Sequence, residues 1–162
     1  MRASIDAARI QRPWLSQSVK SVGTVFHTAH LPSNVGVTKY QGLVESLHER
    51  VGESLLTVTR FTDEESEFLY GEKWFKWFVD EVDTRSPEKM HRDAVFNLQQ
   101  AEVSGKLYGS RVRSEVRIME DGIGIALYPG DGVGFHVLLD EGASVDVPGL
   151  VDTALAELDE AA

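Results

Sequence analysis

The chain has 162 residues, carries 16 Lys and Arg against 26 Asp and Glu for a formal charge of −10, and contains no cysteine. The missing cysteine excludes a disulfide framework, a thiol nucleophile and a Cys-ligated zinc. So acidic a surface repels phosphate backbones, no apolar run approaches the ~18–20 residues of a membrane span, and the start lacks the apolar stretch of a secretory signal. The expectation is a soluble, cytoplasmic domain with length enough for a core.

Charge is unevenly spread. Residues 1–40 hold five bases against Asp6 alone, a net +4, and residues 41–162 hold 11 bases against 25 acids, a net −14. A sign change at one point marks a boundary. Residues 1–40 lack clear periodicity, and LPSNVGVTK (31–39) reads as linker. They are read as a basic, flexible extension or a misplaced start, with synthesis beginning near Val35 or Val37. The rival readings are a basic arm for an acidic partner and an organelle transit peptide. Trp14 and Phe26 leave room for docking on the domain.

The acidic domain, 41–162, is read in chain order. Leu43, Val44, Leu47 and Val51 form one helical face, and Gly52 stops the helix. SLLTVTRF (54–61) is a strand, TDEES (62–66) a turn, and EFLYG (67–71) its partner strand. The spacing of Trp74, Phe78 and Val82 favours a helix over 73–82. Ser86 caps the next helix, with Pro87 at its first position, and Gly105 ends it. VRSEVRIM (112–119) alternates with period two, and Asp121-Gly122 marks a hairpin. IGIALY (123–128), a turn at 129–132 and VGFHVLL (133–139) complete a meander. Asp146 caps a last helix that buries Val151, Leu155 and Leu158.

This order predicts an α+β fold, α-β-β-α-α-β-β-β-α, with a five-stranded antiparallel sheet and helices packed on it. The order resembles the roadblock and profilin-like class. That resemblance implies a domain that dimerises or holds signalling partners such as small GTPases, and is often not an enzyme. The stretches LVESLHERVGESLLTVTRFTDEESEFLYG (43–71) and VRSEVRIMEDGIGIALYPGDGVGFHVLLDEGA (112–143) resemble a family of small acidic haloarchaeal proteins without an established activity. The aromatic run 74–78 departs from that family, where a more charged helix is usual. Ten Arg against six Lys and an excess of acids also fit a saline cytosol.

Most candidate sites favour a structural role. The His27/His30 pair has ligand spacing but no third ligand nearby. His91 and Asp93 point apart on a helix, and His48 lies on an outer face. The glycines of 122–124 and 130–134 sit between strands and match no phosphate-loop pattern. Two surfaces stand out. Arg111, Arg113 and Arg117 share one strand face, with Glu115 among them, and suggest a patch for an anion or an acidic partner. Trp74, Phe75, Trp77 and Phe78 exceed what one narrow stripe buries, so Trp74, Trp77 and Phe78 suggest a docking surface. Asp80, Glu81 and Asp83 disfavour a membrane there.

No catalytic, cofactor or metal site is expected from the sequence. The leading expectation is a non-catalytic interaction or regulatory module of a halophilic cytosol. It would be a homo-oligomer or bind a protein partner, with no membrane contact and no nucleic acid on the acidic domain. One alternative is a small-molecule sensor near Tyr128 and His136; another is an enzyme of unknown class.

Overall fold

The computed structural model describes residues 39–81 and 86–162, with backbone alone for 79–81. The expectations for Trp14, Phe26, His27, His30, Val82 and Asp83, and for the basic segment up to residue 38, lie outside those residues.

Alternation along two neighbouring strands creates the layers. β4 (Gly122–Gly130) and β5 (Val133–Asp140) bury Ile125, Leu127, Phe135, Val137 and Leu139 on one side. Their other side carries Gly122, Gly124, Ala126, Gly134 and His136, in accord with the period-two pleat. Before them come α1 (Gln41–Val51), β1 (Leu55–Phe61), β2 (Ser66–Tyr70), α2 (Glu72–Glu81), α3 (Pro87–Tyr108) and β3 (Ser114–Met119); α4 (Val147–Ala161) follows. The strands form one sheet in the order β2-β1-β5-β4-β3, every neighbouring pair antiparallel. The expected α+β architecture and closing meander are thus present.

The apolar face is covered by α1, through Leu43 and Leu47, and α4, through Leu150, Val151, Ala154, Leu155 and Leu158. Ser46 Oγ donates to Glu157 Oε1 at 2.7 Å and joins the two helices. The opposite face is covered by α2 and α3. There Phe61, Leu98, Ala101 and Tyr128 form a second, smaller core. Gly71, with φ +80°, lets the chain leave β2 hard against β1: a Cβ there would meet the Leu56 carbonyl oxygen.

Several boundaries differ from the sequence reading. Gly105 does not end α3, which continues to Tyr108 and is capped by Gly109 in the left-handed region, φ +63°. Gly105 faces the returning chain, with the Ser110 carbonyl oxygen 3.2 Å from where a Cβ would stand, and this close packing overrides its low helix propensity. β4 continues through Pro129 to Gly130, where a register shift accommodates the proline's missing N–H. The reversal is therefore confined to Asp131 and Gly132, both with positive φ. The preceding hairpin turns at Glu120-Asp121, one residue earlier than read. Ser86 accepts a hydrogen bond from the Lys89 N–H as expected, but Asp146, at the cap position of α4, makes no side-chain cap bond.

Phe135 is fully buried and meets the Tyr40 ring edge-on at 5.0 Å. Phe135→Ala should lower the unfolding free energy by about 3–5 kcal/mol in urea denaturation. The exposed Gln99→Ala should stay within about 0.5 kcal/mol of the parent. A loss below about 1 kcal/mol for Phe135→Ala would contradict this packing.

Candidate functional site

Among the described residues β3 lies at the sheet edge with β4 as its one neighbour. Tyr128 N–H donates to the Arg113 carbonyl at 2.8 Å, which fixes the hydrogen-bonding phase of the β3–β4 ladder. By alternation, Glu115 and Arg117 also turn their backbone groups toward β4, while Ser114, Val116 and Ile118 turn theirs to the free edge. Val116, Ile118 and Met119 are exposed, Ile118 at 81 %. A groove of about 310 Å³ beside this edge is lined by Ser114, Val116, Val147, Pro148, Val151 and Asp152.

The three arginines are engaged separately. Arg111 precedes β3, and its guanidinium donates to the carbonyls of Tyr128 and Pro129. Arg113 reaches Asp159 on α4 at 2.9 Å. Arg117 donates to Asn97 Oδ1 on α3 at 3.3 Å and is exposed. The structure therefore does not gather them around one point. Glu115 accepts a hydrogen bond from the Tyr128 hydroxyl at 2.9 Å. Desolvation, then that bond and the carboxylate's charge, raise the Tyr128 pKa.

The aromatic run divides by role. Phe75 packs on Phe68 of β2, ring centroids 4.7 Å apart, and docks α2 on the sheet. Trp74 stacks on Phe78 at 5.1 Å and meets Trp77 at 6.5 Å. All three are half-buried.

Tyr128 and His136 lie on the same sheet face but not in one pocket. Tyr128 lines an open groove of about 590 Å³ between the end of α3 and the β4–β5 hairpin, with Lys106, Arg111 and Asp131. His136 is outside that groove. It is exposed at the centre of the sheet, above Gly124, where a Cβ would stand 3.3 Å from its Nε2. His91 is tied down, unlike the solvated residue read from sequence: Nδ1 lies 2.6 Å from Ser66 Oγ, and Nε2 3.4 Å from the Asp63 carbonyl. Among the described residues no cluster of His, Asp or Glu has the arrangement of a metal site.

One surface was missed from the sequence. Phe96, Val103, Leu107 and Tyr108 of α3 are exposed, Leu107 at 80 %. Phe96, Val103 and Leu107 recur at seven and four residues, opposite the sheet-facing stripe of Ala94, Leu98 and Ala101. Both stripes have helical period, and that spacing was the available signal. Among the described residues, no helix is long and apolar enough to cross a membrane.

The family model described as a domain of unknown function (DUF7522) matches residues 41–159, and the chain belongs to that family. Solved structures place its fold among roadblock-like domains. The roadblock/LC7 domain from Streptomyces avermitilis is 16 % identical over 73 % of this chain and 90 % of its own, with a TM-score of 0.51. MglB of Myxococcus xanthus is 14 % identical over 80 % of this chain and 92 % of its own, with a TM-score of 0.54. The gliding protein MglB of Thermus thermophilus has the same identity, coverage and TM-score. No curated protein matches the sequence.

Desolvation over the sheet, and secondly the Arg117 charge, lower the His136 pKa from 6.5 to about 4. The exposed outer side of the ring limits the stability at stake. The unfolded chain then binds a proton that the folded chain refuses, so this contribution is present above pH 6.5 and is lost as pH falls toward 4. An NMR titration of the His136 ring should give a midpoint below 6.5, rising in Arg117→Gln. A midpoint at or above 6.5 in the parent would contradict this environment.

Proposed function

We propose that this member of a family of unknown function is a non-catalytic interaction or regulatory module that self-associates, acting in the cytoplasm of a salt-rich cell. The observation that carries the reading is the β3 edge, which no other strand pairs among the described residues. Its outward N–H and C=O groups form a template for another strand, and alongside the charged Glu115 and Arg117 it exposes the apolar Val116, Ile118 and Met119. The exposed stripe Phe96, Val103 and Leu107 on α3 adds apolar area of the kind that marks contact surfaces. Of the predicted contact residues, Arg117 lies on this edge, and Trp74, Trp77 and Phe78 offer a second surface on α2 for a further protein. The acidic surface suits molar salt, where screening relieves self-repulsion.

A small-molecule-sensing role is the second reading. It is favoured by the groove of about 590 Å³ beside Tyr128, a size that suits a small ligand. A thermal-shift screen against nucleotides and metabolites should raise the melting temperature with at least one compound, and no movement would remove this reading.

Light scattering after size exclusion in molar KCl tests the leading reading. The expected mass is twice the 18.0 kDa of the chain. Ile118→Asp, which places a charge on the edge without touching the core, should weaken association at least about tenfold, or about 1.4 kcal/mol. A parent that stays monomeric at all concentrations would contradict self-association.

A further inference from the structure

Building on small-molecule sensing at the groove beside Tyr128, we infer that this groove takes a zwitterion with an apolar body, a free α-amino acid with a bulky apolar side chain. An apolar floor lies there beneath a rim of two cations and two carboxylates. Leu98, Ala101 and Tyr128 line the groove of about 590 Å³, and all three are buried members of the second core, with Val112 packed against them. The floor therefore offers an incoming apolar side chain direct contacts.

Glu102 and Lys106 of α3, Arg111, and Asp131 of the β4–β5 hairpin form the rim. All four are exposed, and none is in an ion pair with another described residue. Arg111 is fixed in place without its charge being neutralised. Its Nη2 donates to the Tyr128 and Pro129 carbonyls, which leaves the donors on Nη1 and Nε for a carboxylate. The hairpin is shaped around this cation: Gly130 has φ +126°, and a Cβ there would run into the guanidinium. The two cations also converge. Gly105 directly precedes Lys106, and a Cβ on it would stand 3.4 Å from the Arg111 Cα. Glu102 lies four residues before Lys106, on the same side of the helix.

The balance of charge selects the ligand. The rim sums to zero within a domain of net −14. A phosphate ester or dicarboxylate would set surplus negative charge against Glu102 and Asp131. An amine alone would approach Lys106 and Arg111 with a like charge. A neutral apolar compound would cover rim charges without replacing the water they lose. A free amino acid carries both signs on neighbouring atoms. Its carboxylate meets Lys106 and Arg111, its ammonium meets Glu102, and its side chain reaches the floor. An amino acid inside a peptide has lost both charges to its peptide bonds.

NMR titration of the full chain in molar KCl reads place and affinity together. L-Phenylalanine should shift the amide signals of Gly105, Ser110 and Gly130. It should bind at least about tenfold more tightly than phenylpropanoate, which lacks the ammonium, than phenethylamine, which lacks the carboxylate, and than glycine, which lacks the apolar body. Lys106→Gln should weaken L-phenylalanine by a similar factor and leave phenethylamine unchanged. Glu102→Gln should weaken L-phenylalanine likewise and leave phenylpropanoate unchanged. Binding of either half-molecule as tight as that of the amino acid would overturn the assignment, as would amide shifts confined to other residues. A metabolite of another class that binds the groove while neither L-phenylalanine nor L-leucine does would overturn the zwitterion and leave small-molecule sensing standing. A chain that binds none of these, and no compound in the thermal-shift screen, would overturn both.

Discussion

The architecture depends on the strict alternation along β4 and β5. One side of these strands presents Ile125, Leu127, Phe135, Val137 and Leu139, enough apolar surface to hold two helices. The other presents glycines, Ala126 and the exposed His136, and beside them lies a smaller core around Phe61, Leu98 and Tyr128. Among the described residues every strand but the outer two has two neighbours, so backbone groups without a strand partner gather at the sheet margins. At the β3 margin they coincide with exposed apolar side chains, and the self-association account starts from that coincidence.

Charge bears on that account as well. Two domains of net −14 over residues 41–162 repel each other on approach. The β3 region softens this locally, because Arg111, Arg113 and Arg117 all lie in or next to it. Their roles differ: Arg111 braces the β4–β5 hairpin through backbone carbonyls and Arg113 pairs with Asp159. Arg117 retains donors on an exposed face. A surface ion pair such as Arg113–Asp159 contributes at most about 1 kcal/mol. On the proposed reading the arginines therefore matter more for lowering repulsion than for affinity, which falls to the exposed apolar side chains Val116 and Ile118.

Much of the fold was legible in the sequence, because period-two runs such as 112–119 and 133–139 and the cap Ser86-Pro87 are local signals. What escaped is tertiary. Gly105 reads as a helix stop until its packing in α3 is seen. Pro129 reads as a turn until a register shift keeps it in β4. His91 reads as solvated because its partners, Ser66 and Asp63, are more than twenty residues away. The site was legible in part. The basic face of β3 was visible, but not that this strand is the edge, since strand order is fixed by pairings across the whole domain. The outer stripe of α3 was overshadowed by the denser aromatics of α2, one of which, Phe75, binds the helix to the sheet.

The central claim is that the free edge of β3 is a strand-pairing surface. Amide hydrogen exchange of Ser114, Val116 and Ile118, followed as a function of protein concentration, reads that edge residue by residue. The account predicts exchange that slows as concentration rises, in step with the appearance of the dimer, while neighbouring Glu115 and Arg117 stay protected by β4 throughout. Exchange of the three edge amides at an unprotected rate in a solution that is fully dimeric would place the contact elsewhere and contradict the claim.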